Sequence, residues 1–236
     1  MQQLRNKNAN VILIGNFDLR PFALDKLIAK SIISPEEIGV VSTLAVIPNE
    51  LVQFEFNDVK VTAQKNRLMA ETSLSPFISI ADLLTKTLRD NPECAWNISA
   101  FGINVHYEYQ MDSAEERDAL GRRLLPIENW GDWSKELIEA NKLSPSDPGH
   151  PGLTSVTMRL PQTKDRPYGW VECRVASSDK PSEQLNVSFS VNDHYAANFA
   201  DKDPLSWTEM LDMLQSNFDR STQKADAIVS SLVKTK

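Results

Sequence analysis

The chain has 236 residues, 41% hydrophobic and 24% charged, with a formal net charge of −7. That length and apolar content support the core of one large domain or two small lobes. The acidic balance argues against general nucleic-acid binding, which needs clustered Lys and Arg, and no run approaches the ~20 apolar residues of a membrane span.

Residues 1–10 are polar, and the apolar β run at 11–14 is too short for a signal-peptide core. Pro21 opens a helical pattern carrying Phe22, Leu24, Leu27 and Ile28, residues 34–37 form a turn, and 40–47 are β-rich up to Pro48-Asn49. Three alternating strands follow, with Val52, Phe54 and Phe56, then Val59, Val61 and Ala63, then Leu68, Ala70 and Thr72 on one face. Asn57-Asp58 and Lys65-Asn66 are the tight turns between them, which makes this an antiparallel meander. Ser79 is placed to cap a helix bearing Ile80, Leu83, Leu84 and Leu88, which Pro92 ends. The longest clean alternation comes next, with Phe101, Ile103, Val105, Tyr107 and Tyr109 against Asn104, His106, Glu108 and Gln110. One face of that strand is core and the other is wet or meets a polar partner.

Residues 112–123 are charged and helix-permissive; Trp130 and Trp133 then flank Gly131-Asp132 ahead of a short helix at 135–142. Residues 144–152 hold three prolines and two glycines, the best boundary between a lobe at 1–143 and a lobe at 153–236, unless the chain is one continuous domain. Three more strands carry Val156, Met158 and Leu160, then Val171, Cys173 and Val175 opposite Trp170, then Leu185, Val187, Phe189 and Val191, after which Asn192-Asp193 reads as a loop. The chain closes on a seam of Trp207, Leu211, Leu214, Phe218, Ser221, Ala225, Ile228 and Leu232, spaced alternately four and three apart. This is the pattern of an amphipathic helix of roughly 40 Å that begins near Asp203-Pro204. Three strands and a helix recur at 51–91 and 153–233. The fold class is therefore α+β: mostly antiparallel sheet or sheets, built from two strand-meander-plus-helix halves and closed by the C-terminal helix.

Catalytic signatures are missing. The sequence has no phosphate-binding glycine loop, dinucleotide fingerprint, nucleophile elbow, H-E-x-x-H or paired C-x-x-C. No catalytic, cofactor or metal residue is assigned, and the reading tilts away from an enzyme. His106 and Glu108 share a strand face and, with His194, define a metal-dependent alternative; a solvated pair is the simpler account. Asp193-His194 could also act as a base. Cys173 reads as core, and Cys94 has an acidic neighbour that discourages a thiolate. Two unpaired cysteines fit a reducing, cytoplasmic setting.

The C-terminal seam thins at Ser221 and Ala225 and recovers at Ile228, Val229 and Leu232, which mark a candidate interface. The expected function is that of a non-catalytic cytosolic interaction protein whose partner is another protein chain, self or other, in a homo- or hetero-oligomer. As an alternative, a curved antiparallel sheet around a long terminal helix resembles the helix-grip architecture in outline. That resemblance implies a small-molecule binder or ligand-cavity enzyme, with its pocket near Trp130, Trp133 and Tyr107.

Overall fold

A computed structural model describes residues 2–34, 36, 42–143, 152–164, 167–178, 183–199 and 203–234, so the expected linker lies outside the described residues except for Gly152. Nine strands make one antiparallel sheet. They are β1 (Gln3–Phe17), β2 (Ser42–Ile47), β3 (Leu51–Phe56), β4 (Val59–Gln64), β5 (Arg67–Thr72), β6 (Ala95–Gln110), β7 (Ser155–Leu160), β8 (Gly169–Ser177) and β9 (Asn186–Ala196), in the spatial order β2-β3-β4-β5-β1-β6-β9-β8-β7. Both parts of the chain thus share one sheet. Its centre is the long pair β1 and β6, which runs from Gln3 opposite Gln110 to Phe17 opposite Ala95 with register shifts after Leu4, Ile14 and Asn16. β1 is far longer than the apolar run at 11–14. Its alternate residues Asn6, Asn8 and Asn10 lie on the open face of the sheet, and that polarity hides the strand in the sequence. At the β3–β4 turn, Asn57 and Asp58 both adopt left-handed backbone, φ 43° and 60°, as their residue types permit.

The helices are α1 (Leu24–Ala29), α2 (Ser79–Arg89), α3 (Ala114–Leu124), α4 (Trp133–Leu143) and α5 (Trp207–Lys234). Ser79 is the first residue of α2 rather than its cap, and its hydroxyl donates to the Pro76 carbonyl. The start of α5 is set by Ser206, not by Asp203-Pro204. The Ser206 hydroxyl accepts from the Glu209 amide, while the Glu209 carboxylate accepts from the Ser206 amide at 2.8 Å, a reciprocal capping box.

Apolar side chains from the helix-bearing face of the sheet form two clusters. The first joins Val11, Leu13, Phe54, Val61 and Leu68 of the strands to Leu84 and Leu88 of α2, and to Met210, Leu211, Leu214 and Phe218 of α5. The second joins Val105, Val175, Val187, Phe189 and Val191 to Leu120 of α3 and to Ala225 and Val229 of α5. Burying each large apolar side chain contributes roughly 1.5–3 kcal/mol. α5 therefore crosses from one cluster to the other.

At the crossing the small Ser221 lets the helix approach β9, where its hydroxyl donates to Asp193 Oδ2 at 2.6 Å, and the Tyr195 hydroxyl donates to the same oxygen at 3.3 Å. Asp193 is buried in the C-terminal part of β9. The loop read at Asn192-Asp193 is thus strand. Asp193 keeps period-two alternation with Val191 and Tyr195 but replaces an apolar core residue by a hydrogen-bonded one.

Candidate binding surface

Trp130, Trp133, Met158 and Leu160 stand exposed in the second half of the chain, and local chain chemistry explains the arrangement of the two tryptophans. Ser113 caps α3 by accepting from the Glu116 amide. After α3 the chain makes one 3-10 turn, Ile127–Trp130, and reverses at Gly131, whose φ of 61° suits a residue without a side chain. The reversal sets the Trp130 and Trp133 rings edge to face, with centroids 5.5 Å apart and planes at 74°. Despite this pairing the two rings are 46% and 52% exposed. They wall a pocket of about 270 Å³ that also takes in Leu120 and Leu125, Val175 of β8 and Val187 of β9.

Arg117, one turn before Leu120 and Gly121 on α3, is also part of this wall and only 4% exposed. Its Nε donates to Asp118 Oδ1 at 2.9 Å and its Nη1 to the Gln184 carbonyl at 2.7 Å. Its Nη2 is shielded from solvent and has no acceptor. Sequence reading missed Arg117. The signal was present, since Arg117 shares a helix face with Leu120, Gly121 and Leu124, but its charged neighbours pointed to a solvated helix.

Beside the pocket lies β7, an edge strand of the sheet, with no partner strand on its far side among the described residues. Val156, Met158 and Leu160 pair with Val175, Cys173 and Val171, so they project on the same face as the pocket floor. Met158 is 71% exposed and Leu160 46%. The alternation is visible in the sequence; the edge position that uncovers it is not.

The candidate positions read from sequence fall in different places. Trp130 and Trp133 meet at the pocket. Tyr107 does not join them: it is buried under α5, its hydroxyl donates to Asp226 Oδ1 at 2.8 Å, and Lys7 bridges to the same oxygen at 2.7 Å. Burial, then the Asp226 hydrogen bond, pushes the Tyr107 phenol well up. Phe189 lies directly opposite Tyr107 across the β6–β9 pair, and Phe189, Phe101 of β6 and Phe218 of α5 are all fully buried. Val229 is 1% exposed within the second cluster, and Ile228 and Leu232 pack against that cluster half-buried. The cover expected from another chain is thus supplied largely by this one.

On the open face, register aligns Glu55, Lys60, Glu71, Asn10, Asn104, Asn192, Glu172 and Arg159 in one row across eight strands. Much of this face is internally bonded: Asn104 Nδ2 donates to Asn10 Oδ1 at 2.8 Å, and Arg159 pairs with Glu172 at 2.8 Å. His106 sits here between Asn10 Nδ2 at 3.1 Å and Ser190 Oγ at 2.8 Å. Since the amide nitrogen only donates, His106 Nε2 accepts and Nδ1 carries the proton, a neutral ring. Burial holds its pKa down.

Glu108 accepts from Asn186 rather than engaging His106. His194 lies opposite Gly102, four positions along the sheet from His106, or about 13 Å. It stacks on Trp170 at 4.0 Å, with Arg159 over the indole at 4.9 Å. Among the described residues no three His, Cys, Asp or Glu side chains converge as a metal site. Cys173 is half-buried with its thiol pushed up by burial, which opposes thiolate formation. No helix among the described residues is long and apolar enough to cross a membrane.

No family model matches the chain, and no curated protein matches it in sequence.

Proposed function

We propose that the protein works by binding another protein chain rather than by catalysis, in a cytoplasmic setting. The contact surface is the apolar band formed by β7 and the Trp130–Trp133 pocket. One observation carries this reading: Met158 and Leu160 stand exposed on one face of an edge strand, continuous through Val156 and Val175 with an apolar pocket. Exposed edges invite strand addition, in which backbone hydrogen bonds give affinity and alternate side chains give selectivity. The other edge, β2, lacks that pattern, because its exposed residues Val46 and Ile47 are consecutive and point to opposite faces.

The partner that fits is an extended segment with alternate apolar residues. A second copy of β7 meets that description: set antiparallel with Met158 opposite Met158, it places Val156 against Leu160 on the same face, a self-complementary two-fold contact. The C-terminal helix adds only the exposed flanks of Ile228 and Leu232. Native mass spectrometry of the full chain at native expression tests the reading. The expected result is a second protein chain in fixed stoichiometry, lost when Met158→Lys and Leu160→Lys are combined, with the circular dichroism spectrum unchanged. A wild-type chain that travels alone overturns it.

A further inference from the structure

We infer that the pocket walled by Trp130 and Trp133 takes a small apolar carboxylic acid, whose carboxylate is received by Arg117. A guanidinium presents five N–H donors in a fixed plane. Here Nε is engaged by Asp118 and Nη1 by the Gln184 carbonyl, while Nη2 is shielded from solvent without an acceptor. Buried donors are normally satisfied; Arg117 lines the pocket, so a carboxylate that closes on the edge of its guanidinium supplies the missing acceptor.

Charge narrows the choice to a single negative group. Among the described residues the wall holds Arg117 and Arg122 against Asp118, one net positive charge. A monoanionic carboxylate balances it, whereas a dianionic phosphate would exceed it. The rest of the lining is mostly apolar. At about 270 Å³ the pocket is just below the range of roughly 300–1,000 Å³ for drug-sized ligands. A short aliphatic chain or a single ring is therefore the fitting tail. The tail lies against Leu120, Val187 and the two indoles, and the head lies toward α3.

Calorimetric titration of the full chain with sodium octanoate and with octan-1-ol tests this directly, because the two share a tail and differ in the head. Octanoate is expected to bind once per chain and about tenfold tighter than the alcohol. Trp133→Ala should weaken both ligands alike. Arg117→Lys keeps the charge but removes Nη2, and it should cut the preference for the acid several-fold. Equal affinity for the two ligands overturns the inference, as does no binding of either, or a preference undiminished by Arg117→Lys in a folded chain. Should Arg117→Lys fail to fold, the acid–alcohol comparison on the unaltered chain still decides. None of these outcomes bears on whether a second chain docks along β7, so the two readings fail separately.

Discussion

In the first half of the molecule a long strand, β1, leads through α1 into a meander that returns to lie beside it, and α2 follows. In the second, β6 leads through α3 and α4 into a meander that returns to lie beside it, and α5 follows. Outward from the central pair the strands run β5-β4-β3-β2 on one side and β9-β8-β7 on the other, the same path taken twice. The halves differ in their closing helices. α2 has 11 residues and serves its own half only, whereas α5 has 28 and serves both. The large side chains of α5, Met210 to Phe218, go to the first cluster, and the second receives the smaller Ala225 and Val229. Beyond that second cluster, Met158 and Leu160 of β7 stay exposed.

The division predicts unequal sensitivity along one helix. Phe218→Ala should cost about 3–5 kcal/mol in urea unfolding, because it opens a cavity in the larger cluster. Val229→Ala, in the second cluster, should cost only about 1–2 kcal/mol, from two lost methyl-sized groups at roughly 0.8 kcal/mol each. Equal losses would overturn this ranking. At the crossing, Ser221→Ala should cost about 1–3 kcal/mol, since it removes a donor from the buried Asp193 carboxyl. A neutral outcome there would show that the hydroxyl only fills space.

The polar face gives a subtler contrast through pH. Burial holds both His106 and His194, with Arg159 adding to the effect at His194, below their ordinary value of 6.5. The unfolded chain therefore binds these protons at higher pH than the folded one. The neutral-imidazole contribution is fully present above pH 6.5 and is lost as the pH falls from there toward the folded-state values. Unfolding measured at about pH 7.5 and about pH 5.5 should show this decline, and His106→Gln should make it shallower. The smallest effect is expected at the edge of the same face. Arg159→Ala loses the stack on Trp170 and the exposed pair with Glu172, together under about 1 kcal/mol in thermal unfolding.

Much of this plan can be read from residue order. Period-two alternation marks β3, β4, β5, β6 and β8, and the four-three spacing marks α5 from end to end. The failures share a cause. β1 beyond residues 11–14 and the end of β9 place amides, a carboxylate and a histidine where strand patterns usually place apolar or β-branched residues, so the local chemistry speaks for loop. Long-range pairing overrides it, since Asn8, Asn10, Asn192 and His194 each face a partner strand that fixes the backbone. The candidate site was half legible. Two tryptophans around a glycine signal an aromatic wall without further information. That Met158 lies on an edge, and that Arg117 has one donor too many for its neighbours, depend on how distant segments meet.

Chain order gives α5 a further role. Every strand precedes it, including the two that form the middle of the sheet, so a ribosome produces the whole greasy face before it produces the lid. At 5–20 residues per second, the typical pace of synthesis, that face stays bare for about a few seconds while the last 28-residue helix is made. The nascent chain must pass through this interval with an incomplete interior, a period in which holding factors would find their target and in which a stalled or shortened product would be the form most prone to clump.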